Sequence, residues 1–140
     1  MPMQLRVLPD RLAVCRLPAG SAAPEWATGQ HSGSLCSVTW SPGETSVVCA
    51  EGAVPDGIRA ERGWRALMLL GPLDFSLTGV LAALAQPLAS AGISIFALST
   101  YDTDYLLVKE PALCEAIQVL GANGHEFARD EPSGGEGYHG

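Results

Sequence analysis

Residues 92–110 read GISIFALSTYDTDYLLVKE, two apolar runs separated by a polar stretch with two aspartates. Apolar residues fill 93–98, apart from Ser94, and 105–108, while Ser99, Thr100, Asp102, Thr103 and Asp104 cluster between them, which is the signature of two strands joined by a turn. The flanking sequence shows what kind of sheet such a hairpin enters. Upstream, residues 64–70 (WRALMLL), apolar but for Arg65 and bounded by Gly63 and Gly71, predict a buried strand. Leu77, Val80, Leu81, Leu84, Leu88 and Ala91 then recur along one face of a helix. Asp74 or Ser76 would cap its start, because a short side-chain oxygen accepts from the unpaired N–H groups there. Pro87 is expected to kink that helix or end its regular part, and Gly92 to stop it. Downstream, Pro111 opens a second helix with Leu113, Ile117 and Leu120 on one side. Asn123-Gly124 closes that helix, and residues 125–128 form a last short strand.

The second half therefore reads β-α-β-β-α-β, the ferredoxin-like order, in which two helices back one face of an antiparallel sheet. The first half carries a thinner version. Residues 3–8 and 11–17 read as two strands split at Pro9-Asp10, followed by a Gly/Ser/Pro/Ala loop over 18–33 with one helical turn at 24–28. Strands at 34–41 and 45–51 follow, with Val38 and Trp40 on one face, and 52–63 reads as a connector. The fold class expected is α+β, two ferredoxin-like modules with the first reduced. The divisions are 1–60 and 61–128, with 129–140 too polar to offset its ordering entropy and expected to be disordered.

Composition narrows the function. At 140 residues, 47% of them apolar, the chain can bury a core, and a net charge of −7 with only 8 scattered Lys and Arg excludes a phosphate-binding face. Nucleic acid and anionic membrane surfaces are thus not expected partners. Purely apolar runs such as 66–70 and 80–85 are far below the roughly 20 residues that cross a bilayer. With nothing resembling a signal peptide, the expected location is the cytoplasm. Cys15, Cys36, Cys49 and Cys114 lie apart in apolar surroundings and read as buried free thiols. His31, His125 and His139 stand alone, and no phosphate-loop, dinucleotide or zinc-protease pattern occurs, so neither a catalytic centre, a metal site nor a cofactor is expected.

The phrases GPLDFSLTG (71–79) and SIFALSTYDTDYLLVKE (94–110) resemble the ACT-domain family. Within it, the chain is similar to small bacterial proteins built from two ACT-like modules, related to the ACT modules of the CASTOR-type arginine sensors. The resemblance runs from residue 3 to about 127, with RLAVCRL, PEWA and VPDGIRAERGWRA as its weaker first-half matches. It implies a non-catalytic sensing or regulatory protein that binds an amino acid or similar small ligand at a module interface and acts as a homodimer. It also implies a site made by the loop after the strand, Leu73, Asp74, Phe75 and Ser76, completed by Ser99, Thr100, Asp102 and Asp104. The chemistry suits an amino acid: N–H groups at a helix start take its carboxylate, and aspartates take its ammonium. Plainer roles stand beside these, Asp74 as a helix cap and Asp102 as a solvated turn residue. The alternative reading is a structural or partner-binding protein without a ligand pocket.

Overall fold

A computed structural model describes residues 2–29, 33–70 and 79–128. The elements in order are β1 (Gln4–Leu17), α1 (Glu25–Thr28), β2 (Ser37–Ser41), β3 (Glu44–Ala50), β4 (Ala60–Leu69), α2 (Val80–Ser90), β5 (Phe96–Ser99), β6 (Asp104–Lys109), α3 (Leu113–Ala122) and β7 (Glu126–Phe127). Short 3-10 turns at Glu51–Ala53 and Glu110–Ala112 lead out of β3 and into α3. The chain divides into two compact units, residues 1–9 with 65–140, and residues 10–64. Both β1 and β4 cross that division, so each strand serves two units in turn.

The helix-backed unit, residues 1–9 with 65–140, holds β4, α2, β5, β6, α3 and β7, and the α+β expectation holds. Its β5 and β6 form an antiparallel hairpin in the register Phe96↔Leu107 to Ser99↔Asp104. Gln4 and Leu5, from the start of the chain, run parallel to β7 opposite Glu126 and Phe127. On the other side of that segment, Leu70 N–H donates to the Gln4 carbonyl at 2.9 Å. The helices cover the sheet through Val80, Leu84 and Leu88 of α2 and Ala116 and Leu120 of α3. These pack on Leu5, Leu67, Leu69, Leu106 and Val108, alternate positions of their strands, as a period of two requires.

Both helices end alike. Gly92 adopts φ 78° and Gly124 φ 91°, left-handed backbone that glycine enters without a Cβ penalty. Ile93 N–H then donates to the Leu88 carbonyl and His125 N–H to the Leu120 carbonyl, at 2.9 and 3.1 Å, the long bond of the Schellman motif. The apolar contact that accompanies this motif is made by Ile93 at the first end. At the second end stands buried His125, whose Nδ1 accepts from Met3 N–H at 3.1 Å.

The short-helix unit, residues 10–64, repeats the plan in miniature. The 10–17 part of β1 pairs antiparallel with β3 from Leu12↔Ala50 to Leu17↔Thr45, and β2 lies on the far side of β3. Arg16 N–H reaches the Arg59 carbonyl at 2.9 Å just before β4. In place of helices the unit has four-residue α1 and a 3-10 turn, so the first module is reduced as expected. The cluster that includes α1 is made of smaller side chains, Ala13, Cys15, Ala27, Val47, Cys49 and Val54, while Leu12, Leu35 and Trp64 are buried outside it.

Several local expectations are corrected. Pro9-Asp10 does not split the first strand, because the fixed φ of proline lies within extended space and the Asp10 carboxylate is engaged elsewhere. Asp10 Oδ2 accepts from Ser34 N–H at 2.7 Å and Ser34 Oγ–H at 2.8 Å, anchoring the loop before β2. The connector at 52–63 ends early, since β4 starts at Ala60. Pro87 does not end α2, which continues to Ser90: a proline near the last turn costs one helical bond, and the cap below it closes the helix. Ile93 is taken up by that cap, so β5 begins only at Phe96. Leu81 is exposed at 36%, at the border of the helix stripe rather than within it, and Trp40 is exposed at 57%. Trp40 keeps its indole N–H satisfied by the Ser21 carbonyl at 2.7 Å. Cys114 is exposed on α3, against the expectation that all the thiols are buried. Leu77, the proposed caps Asp74 and Ser76, and the 129–140 tail lie outside the described residues.

Candidate functional site

The turn of the β5–β6 hairpin is where the sequence places the polar half of a site. Ser99 and Asp104 face each other as the last register pair, and Ser99 Oγ–H donates to Asp104 Oδ1 at 2.6 Å. Thr100 N–H closes the turn on the Thr103 carbonyl at 2.8 Å, and the Thr100 hydroxyl lies 3.4 Å from Thr103 N–H as its acceptor. Tyr101 and Asp102 are thereby left at the tip, both exposed, Tyr101 at 81%. The side chains of Ser99 and Asp104 are brought together, the Thr100 hydroxyl is engaged with the Thr103 backbone, and Asp102 is exposed. Leu73, Asp74, Phe75 and Ser76 lie outside the described residues.

Thr103 is the residue that sequence reasoning passed over. It is 5% exposed, and its hydroxyl donates to the Leu69 carbonyl at 2.7 Å. That bond ties the turn to the last residue of β4, the point where the chain enters 71–78. A Thr between two Asp residues carries no signal for this role, because the partner is a backbone carbonyl 34 residues away. The bond holds the hairpin end in one place relative to β4, and a polar group on a braced turn binds with less ordering cost.

Charge at this end is acidic, with Asp102 and Asp104 in the turn, which suits an ammonium and opposes an anion. At the other end of the hairpin strand, Arg65 Nη1 lies 3.7 Å from Glu110 Oε2, and Arg65 Nη2 donates to the Leu8 carbonyl at 3.1 Å. Among the described residues no group of three or more His, Cys, Asp or Glu is placed to hold a metal ion. Nor is any helix among them long and apolar enough to cross a membrane.

Comparison with known proteins bears on the family and the fold of the chain. The model of a family described as ACT domain matches residues 59–122, and a separate model described as an N-terminal domain matches 10–57. The human cytosolic arginine sensor for mTORC1 subunit 1 is 41% identical over 58 residues, which is 41% of this chain and 18% of the sensor. The rat sensor is 33% identical over 70 residues, 49% of this chain and 21% of the sensor. The chain thus spans about a fifth of the length of these curated relatives. Among solved structures, the Agobacterium tumefaciens protein Atu0741 superposes with a TM-score of 0.85 at 33% identity, covering 94% of this chain and 96% of that one. The regulatory subunit of aspartate kinase from Thermus thermophilus, at 12% identity and TM-score 0.57 over 84% of this chain and 96% of its own, shares the fold. The β-α-β-β-α-β unit, the matched residues and these relatives together place the chain in the ACT-domain family.

Proposed function

We propose that this protein is a non-catalytic sensing or regulatory module that binds a free amino acid, working as a homodimer in the cytoplasm. The observation that carries the reading is the sequence match to cytosolic arginine sensors, found in a chain whose hairpin gathers Ser99, Thr100 and Asp104 at one braced turn. An α-amino acid offers an ammonium that needs carboxylate or hydroxyl acceptors within hydrogen-bond reach, and these three side chains are such acceptors. Ser99 takes up Oδ1 of Asp104, but a carboxylate accepts several hydrogen bonds, so the pair can also receive an ammonium. Leu73, Asp74, Phe75 and Ser76 enter the proposal as further contacts on the family resemblance alone.

Thermal unfolding of protein stripped of small molecules by refolding tests it, with each proteinogenic amino acid added in turn. A ligand at 100 times its Kd stabilises the folded state by about 2.7 kcal/mol, so a true ligand raises Tm well above the scatter of the others. Asp104→Asn should abolish that shift while the protein still folds. Native mass spectrometry of the same sample reports the dimer and any retained ligand. A second reading, a structural or partner-binding protein, is favoured by one feature: Ser99 and Asp104 already satisfy each other at 2.6 Å. It wins if no amino acid moves Tm.

A further inference from the structure

The outer strand of the short-helix unit offers a surface that the ligand reading does not use. β2 ends the sheet order on the far side of β3, so it has a neighbour on one side only. Ser41 and Glu44 pair across the turn Pro42-Gly43, and in a two-residue hairpin that pair exchanges both of its backbone bonds. Bonded and unbonded pairs alternate along an antiparallel ladder, so Thr39 and Ser37 also bond to β3. Val38 and Trp40 therefore point their N–H and C=O groups outward. Among the described residues, no backbone hydrogen bond from another segment reaches them. Their side chains share the α1 face with buried Val47 and Thr45. The Trp40 ring is 57% exposed yet fixed, because the Ser21 carbonyl holds its indole N–H. Natural edge strands are blunted by charge, proline or a bulge. The run 33–43 carries no acidic or basic side chain, and Pro42 lies beyond the strand.

We propose that β2 pairs antiparallel with β2 of a second copy about a two-fold axis at Thr39, extending the sheet across the homodimer. The proposal rests on the homodimer inferred above and assigns its surface. Centred on Thr39, Val38 faces Trp40 of the second copy and Ser37 faces Ser41 of the second copy. The outward groups then meet in phase: each Val38–Trp40 pair exchanges both backbone bonds, and the axis repeats the pair. A shift toward Trp40 would set Val38 opposite Pro42, which has no N–H to give. A shift toward Val38 would set Trp40 opposite Cys36, outside the strand. Aromatic and β-branched side chains opposed across strands attract, and a rigid exposed Trp anchors an interface at little ordering cost. Charge selects a second copy as the occupant. Each chain has a net charge of −7, so copies repel where acidic surfaces meet, and here an uncharged edge meets its own counterpart. A contact of this symmetry closes on itself and leaves no free β2 edge.

Light scattering and native mass spectrometry of the full chain test the surface, and the unsubstituted chain should be a dimer. Thr39→Glu sets two like charges directly opposite each other at an exposed position. It should give a monomer at the concentration where the unsubstituted chain is dimeric, with unchanged far-UV circular dichroism. Cross-linking reads the register, in a Cys114→Ser background that removes the exposed native thiol. Opposed residues that share no backbone bond lie about 4.5 Å apart at Cα, within disulfide reach. Thr39→Cys should therefore oxidise to a covalent dimer joined through residue 39 of both copies. Ser37→Cys should link to Ser41→Cys in a mixture of the two and not to itself. A monomeric unsubstituted chain overturns this surface and the homodimer together, and leaves the amino-acid Tm shift to be read on its own. A dimer that survives Thr39→Glu, a Thr39→Cys chain that stays unlinked, or a Ser37→Cys chain linked to itself overturns the surface alone.

Discussion

The two units build one plan with different means. In the helix-backed unit, α2 and α3 lay Leu84, Leu88 and Leu120 over Leu67, Leu69 and Leu106, all fully buried. In the short-helix unit the corresponding cover is Ala27 on four-residue α1, and the sheet beneath offers Ala13, Cys15, Val47 and Cys49. A long amphipathic helix gives up a wide apolar stripe and needs large partners. A single turn covers little, and small side chains and thiols suffice beneath it.

If stability is concentrated under the long helices, the largest loss should come from Leu84→Ala, about 2–5 kcal/mol by chemical denaturation. Val47→Ala, equally buried beneath the short helix, should cost less, roughly 1.5–3 kcal/mol. The reverse order would show that the small core is the tighter one.

Glycines sharpen the same contrast. Gly33 has φ 80°, and an added Cβ would lie 2.6 Å from Asp10 Oδ2. Gly92 has φ 78° with nothing within 4 Å. Gly92→Ala should therefore cost only the left-handed penalty of about 1–2 kcal/mol, and Gly33→Ala more, because it also displaces the Asp10–Ser34 anchor. Equal losses would mean that the anchor contributes nothing.

Smaller effects concern the turn. Thr103→Val keeps the shape but strips the Leu69 carbonyl of its buried donor, an expected loss of about 1–3 kcal/mol. Ser99→Ala, at an exposed position, should change stability by less than about 0.5 kcal/mol and show itself in the amino-acid Tm shift instead. If the two substitutions affect stability equally, the turn is not braced through Thr103.

How far the sequence reaches is clearest at particular residues. The helices of the second half were legible because Leu84, Leu88 and Leu120 recur at helical spacing, and their ends because Gly92 and Asn123-Gly124 are strong local stops. The hairpin was legible for a similar reason, two apolar runs around a polar tip. Leu81 fits the same helical spacing yet is exposed, since spacing defines a stripe and not its width. Of the site, Ser99 and Asp104 could be nominated as neighbours across a turn, but Thr103 could not.

What the sequence determined by itself is local: the order of strands and helices, the caps, and the faces that must be buried. These depend on residues within a few turns of one another, where periodicity and backbone preference act directly. Only the tertiary structure decided that β1 runs unbroken through Pro9, that Gln4 and Leu5 lie beside β7, that a threonine hydroxyl meets the Leu69 carbonyl, and that Cys15 faces Val47. Each of these joins backbone or side-chain groups far apart in the chain, or depends on such a pairing. Hydrogen-bond partners of that kind are chosen by strand register, and a single sequence leaves register open until the whole sheet closes.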